Sequence, residues 1–211
     1  VHIYAFGSVC RGEVDPSSDI DMLAIVNGRD SRFNPQDYSI YSYSRIEELW
    51  KQGNPFAWHL YLESKLIFSS DNIDYLQALG EPSPYNSGLS DCEKFREIFS
   101  TAKESIESSP FAEVFDLSSV FLGVRNFATC YSLHRNINPD FSRNSARNLG
   151  KYSVPVAVSI YDLLERARIL CTRGLGELLT PDEVFKAKMV LDEVDSWMKE
   201  LISKIESENY D

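Results

Sequence analysis

No apolar run in the 211-residue sequence approaches the ~20 residues that a membrane-spanning helix requires, and no charged-then-apolar leader opens it. The reading is of a chain with no membrane segment. Positive charge is also short, with 21 lysines and arginines against 32 aspartates and glutamates, a formal net charge of −11. That balance argues against a large duplex nucleic-acid surface, which needs many cations against phosphates. It leaves room for a small basic pocket that takes one nucleotide. Cysteine is scarce and scattered: Cys10, Cys92, Cys130 and Cys171 make no CxxC pair. Such spacing suits reduced thiols in a cytoplasmic protein better than a disulfide framework or a zinc site.

What is present suffices for a packed core. Hydrophobic residues make up 43% and aromatics 12%, and the length accommodates one large domain or two small ones. Charge is unevenly distributed. Between Gly123 and Lys151 the cations Arg125, Arg135, Arg143, Arg147 and Lys151 face the single acid Asp140. From Glu177 onward there are ten acids and four lysines. The first stretch is suited to face an anion and the second is not.

The first part of the chain reads as strands and short helices. His2 to Phe6 is a short apolar run ending at Gly7, and Asp21 to Val26 is another, ending at Asn27-Gly28. Tyr38 to Ser44 alternates aromatic and polar residues, a strand signal. Ile46 to Gln52 and Phe56 to Glu63 read as helices, and Leu66 to Ser69 as one more strand. Gly80 to Gly88, dense in Pro, Gly, Ser and Asn, reads as a linker. It separates a first domain, 1–80, from a second, 89–211. Beyond it the signals are helical. Ser90 with Glu93 has the form of a capping box, Phe111 to Leu133 and Val154 to Cys171 carry apolar residues at helical spacing, and Thr180-Pro181-Asp182-Glu183 opens a helix running toward Ile205. The expected fold class is α/β (α+β): a small mixed-sheet domain followed by a C-terminal bundle of four or five helices.

The chemistry lies between the first two apolar runs, as G-S-x(10)-D-x-D from Gly7-Ser8 to Asp19 and Asp21. Gly7 allows a sharp turn and a close approach to a bulky anion. Ser8 offers a hydroxyl and an amide at the start of a short helix, where aligned N–H groups favour phosphate. Asp19 and Asp21, two apart at the head of a strand, point to one face. Paired carboxylates suit Mg²⁺, which fills its shell with hard oxygens, waters and substrate phosphates. Two such ions ~3.5–4 Å apart can activate an attacking hydroxyl and stabilise a leaving pyrophosphate. A D-x-D alone is usually a solvated turn; its position after G-S and between two strands makes it a metal site.

This segment, FGSVCRGEVDPSSDIDMLAIV, resembles the nucleotidyltransferase signature of the DNA polymerase β superfamily, whose minimal members include toxin–antitoxin, antibiotic-modifying and bacterial defence enzymes. The resemblance implies that Gly7 and Ser8 hold a triphosphate and that Asp19 and Asp21 bind magnesium, two ions in all. Arg11 assists the phosphates or forms a surface ion pair. A third carboxylate is expected from the next central strand, but YSIYSYS carries none; Asp37 precedes it, Glu47 and Glu48 follow it, and Glu63 reads as a surface residue. His59, in the similar segment FAWHLYLES, reads as a buried, hydrogen-bonded core histidine. The segment from Gly123 through Arg143 resembles the helical half that follows such domains, so Arg125 and Arg143 either reach toward nucleotide or acceptor or sit on solvated helix faces. Arg125 and His134 do not fit the Arg-x(4–6)-His motif of HEPN ribonucleases. Relatives place a helix before the first strand, so the sequence leaves open whether the strand at Val1 is the true start or follows a truncated N-terminus.

The implied activity is Mg-dependent transfer of a nucleotide from an NTP or dNTP with pyrophosphate release. Tyr210, near the end of the chain, either is an inert tail residue or offers its phenol as the acceptor. The tail and two-domain plan are similar to the Hailong anti-phage defence nucleotidyltransferases, which prime oligonucleotide synthesis on a C-terminal tyrosine. The alternatives are transfer to a partner protein or tRNA in a toxin–antitoxin pair, and a non-catalytic nucleotide-binding module. Partners implied are thus a nucleoside triphosphate, a protein from a defence or toxin–antitoxin pair, and a second copy in a homo-oligomer. An aminoglycoside substrate fits less well, because its cleft should be acidic and the Arg125–Lys151 stretch is not.

Overall fold

The computed structural model describes residues 1–13, 20–109 and 111–208. Asp19 and Tyr210, both expected above to act in the site, lie outside the described residues. The chain divides into two compact units, residues 1–86 and 87–211.

The first unit is built on a four-stranded mixed sheet in the order β3-β2-β1-β4. Strand β1 (His2–Phe6) pairs antiparallel with β2 (Asp21–Val26) and with β4 (Ser64–Ser69), while β3 (Ser39–Ser42) runs parallel to β2. Cross-strand partners fix the faces: Tyr4 lies opposite Leu23, and Leu23 opposite Ser39. Period-two alternation then puts Tyr4, Phe6, Leu23 and Ile25 on one face. There they pack with Ile46, Leu49 and Trp50 of α2 (Tyr43–Lys51) and with Ala57 and Leu60 of α3 (Pro55–Glu63). A one-residue slip of either strand would carry these large side chains to the opposite face of the sheet. Helix α4 (Tyr75–Leu79) adds Leu76 to this core, and Tyr4 Oη anchors its start, accepting from Leu76 N and donating to Asp74.

The alternating Tyr38–Ser44 stretch is strand only as far as Ser42. Ser42 caps α2, its hydroxyl accepting from Arg45 N at 3.1 Å, and Tyr43 begins the helix. A side-chain cap of this kind overrides β propensity locally because it satisfies an otherwise orphaned helix N–H. After α4 the linker folds back on the first unit: Trp50 Nε1 donates to Gly80 O, Trp58 Nε1 to Ser83 O, and Ser83 N to Trp50 O.

The second unit contains five α-helices among the described residues: α5 (Gly88–Ser108), α6 (Glu113–His134), α7 (Val158–Arg173), α8 (Pro181–Lys188) and α9 (Leu191–Glu208), with a short 3-10 turn at Gly150–Tyr152. Helix α6 is the central element. It buries residues on most of its circumference, among them Leu117, Val120, Val124, Phe127 and Tyr131. Gly123 lets α5 come close, since a Cβ there would lie 2.9 Å from Phe95 O and 3.1 Å from Phe99 Cβ.

Three expectations need correction here. The Ser90/Glu93 capping box does not form; α5 starts earlier, after Ser87, and Ser90 Oγ donates to Ser87 O. The Val154–Cys171 helix starts at Val158, because a residue before proline is pushed out of the helical region and Val154 precedes Pro155. The helix expected from Thr180 to Ile205 is two, α8 and α9, with a break at Met189–Val190. Its opening is as read, and Thr180 with Glu183 makes a complete capping box.

Candidate active site

The turn from β1 into α1 (Ser8–Arg11) is where the backbone becomes unusual. Gly7 has φ +76° and ψ −143°, a conformation glycine adopts and L side chains do not. The space is tight as well: a Cβ at position 7 would sit 2.8 Å from Asp21 Oδ2 and would push that carboxylate aside. The main chain therefore approaches the carboxylate as closely as a side-chain-free residue permits. From there α1 carries Ser8 at its first position and closes on Gly12, whose N–H bonds Val9 O at 3.2 Å.

Asp21 is the first residue of β2 and lies opposite Phe6. It is the exposed head of the row continued inward by Leu23 and Ile25. The neighbouring strand supplies a second acid. Leu23 pairs with Ser39 in parallel register, so two residues upstream on both strands stand Asp21 and Asp37. Both line one cavity of about 430 Å³, together with Ile20, Met22, Pro35, Gln36, Tyr38 and Ser39. Asp37 is held at the foot of β3 by a turn in which its N–H and that of Tyr38 bond Asn34 O at 3.0 Å. A search for an acid inside the strand passes over Asp37; the parallel register is the signal that finds it, and register is not written in one strand's sequence.

The donors fit a hard divalent cation. Asp21 and Asp37 offer carboxylate oxygens, the hard ligands such an ion takes, to one cavity. Among the described residues no three His, Cys, Asp or Glu side chains gather into a metal cluster; Asp19 is not among those residues.

Arg11 is engaged with acids. Its Nε donates to Glu13 at 2.8 Å, and its terminal nitrogen pairs with Glu63 Oε2. Glu63, expected on the surface, is 12% exposed. His59 Nε2 lies 3.0 Å from the same Glu63 oxygen, and the His59 ring stands edge-on to Phe6 at 5.5 Å.

Arg125, Arg143 and Arg147 of the second unit are engaged as well. Arg125 Nε donates to Ser142 O at 3.2 Å, one terminal nitrogen to Phe141 O, and the other to Asn126 Oδ1 at 2.9 Å. Arg143 pairs with Glu165 and Arg147 with Asp162, each at 3.2 Å. Within the Gly123–Lys151 stretch, cationic in sequence, Arg143 and Arg147 are countered by acids of α7. The fold thus brings Gly7, Ser8, Arg11 and Asp21 together in the first unit, with Asp37 beside them, and places Arg125 and Arg143 in the second.

Residues 1–79 match the family model of the nucleotidyltransferase domain, which is polymerase β-like, and this covers the whole sheet and its helices. No curated protein matches the chain. The domain points to nucleotidyl transfer in general.

Proposed function

We propose that the chain is a magnesium-dependent nucleotidyltransferase that takes a nucleotide from an NTP or dNTP and releases pyrophosphate. The observation that carries this reading is the Gly7 backbone pressed against Asp21, with Asp37, in the turn that leads into the adjacent strand, lining the same cavity. Ser8 and the amides at the head of α1 bind the triphosphate. Asp19 and Asp21 hold Mg²⁺, and Asp37 is the third carboxylate that the strand itself lacks. Bound magnesium supplies charge neutralisation along the triphosphate and lowers the pKa of a coordinated hydroxyl. Asp37 takes the proton of the acceptor hydroxyl, whose oxygen forms a bond to the α-phosphorus. The bond from that phosphorus to the β-phosphate oxygen breaks, and pyrophosphate departs.

For the acceptor we propose the phenol of Tyr210, with template-independent, protein-primed oligomer synthesis in anti-phage defence as the setting. What supports it is the sequence resemblance of the two-domain plan and the tail. The test is incubation with Mg²⁺ and each labelled NTP or dNTP in turn, followed by a denaturing gel. Label on the protein that vanishes in Tyr210→Phe is the expected result. Label that persists in Tyr210→Phe rejects self-priming, and no turnover of any nucleotide rejects the transferase reading.

A further inference from the structure

Helix α1 has four residues and buries none of them. A helix so short does not hold itself, because nucleation costs more than its few hydrogen bonds return. Something outside α1 must therefore fix Ser8 relative to Asp21. Glu63 is placed to do this. It ends α3 and stands one residue ahead of Ser64, the partner of Phe6 across the sheet. A carboxylate that is 12% exposed needs partners to offset lost hydration. Its partners are Arg11, the last residue of α1, and His59, one turn back on α3. The His59 ring also rests against Phe6, the residue immediately before Gly7. Both ends of the Gly7–Arg11 segment are thus tied to α3 by one pair of side chains.

We propose that Glu63 and His59 are positioning residues for nucleotidyl transfer, acting through Arg11 to hold α1 and its phosphate-binding Ser8 in register with Asp21. This rests on the nucleotidyltransferase reading above. In it Arg11 is an anchor, its guanidinium used on Glu63 and Glu13 and not on phosphate. Charge-assisted pairs of this kind are strong and directional. Losing one frees the phosphate-binding loop to shift, and misplacement of about 1 Å can cost about 10²-fold in kcat/KM.

The test is a double-mutant cycle on the full chain, with steady-state transfer from the preferred NTP or dNTP and thermal melts alongside. Glu63→Gln and Arg11→Gln should each lower kcat/KM by roughly 10–100-fold, mainly through KM, with the double variant no worse than either single. Asp21→Asn, by contrast, should act through kcat. His59→Gln, which keeps a polar group beside Glu63, should retain more activity than His59→Phe. An Arg11 that touches phosphate directly would leave Glu63→Gln near wild type, and that result overturns the proposal. So do additive losses in the double variant, or equal activity of the two His59 variants. Arg11 lies near the surface, its side chain 19% exposed, so Arg11→Gln should fold and keeps the cycle readable. A wild-type chain that transfers no nucleotide removes both readings; an active wild type with an additive cycle removes only this one.

Discussion

Two regions of the molecule carry the sequence features of an anion site, and they use their charge in opposite ways. Around Gly7 the chain has little net positive charge, yet it brings backbone against a carboxylate and stands a second carboxylate alongside. From Gly123 to Lys151 the chain is cationic, yet Arg125 ties down the backbone carbonyls of Phe141 and Ser142, and Arg143 and Arg147 pair with acids of α7. The lesson is that a segment's formal charge does not measure the field it presents. Partners brought in by the fold decide that, and they come from far along the chain.

The largest effect that could break this comparison is expected at Asp21. Asp21→Asn should lower nucleotidyl transfer by on the order of 10²–10³-fold with little change in melting temperature, checked by single-turnover kinetics and calorimetry. Asp37→Asn should behave alike; an active Asp37→Asn would remove the third acid from the site. Next comes Gly7→Ala, which should cost about 1–3 kcal/mol of backbone strain and also disable transfer, read from denaturant melts together with activity. Arg125→Gln should instead destabilise the helical unit by about 1–3 kcal/mol, because buried carbonyls lose their donor, and leave nucleotide affinity unchanged. A drop in affinity at unchanged stability would make the two regions alike after all.

The smallest expected effect is pH-dependent. Glu183 is held at a pKa of about 2, first by the Thr180 backbone N–H and then by Arg166. Its folded pKa lies below the unfolded value. The stabilisation is therefore complete above ordinary carboxylate pKa values and is lost as pH falls from there toward 2. Glu183→Gln should flatten that part of the acid limb in a series of thermal melts, leaving stability at neutral pH slightly lowered.

Much of the first unit was legible because its signals are local. Strands β1 and β2 begin and end where the apolar runs do, bounded by Gly7 and by Asn27-Gly28. The Thr180 cap was legible for the same reason, since hydroxyl, proline and acid lie within four residues. Features that depend on distant partners were not. Nothing between Lys188 and Leu191 is a helix breaker by type, so α8 and α9 read as one helix. Glu63 read as a surface acid because its partner Arg11 lies on another element. Asp37 lies outside the strand signal, and its place beside Asp21 depends on the pairing of β2 with β3 and on the turn at Asn34.

The crowding at Gly7 links two positions that are fourteen residues apart in the chain. The backbone at φ +76° favours glycine at position 7, and Asp21 Oδ2 narrows the space for any Cβ further. A library randomised at both sites and selected for folding alone should therefore keep glycine at 7 in most clones, with the exceptions enriched for a smaller residue at 21. Selected for transfer, the same library should return the original pair. Position 7 is thus a place where the inheritance of one residue is conditioned on the side-chain volume of another.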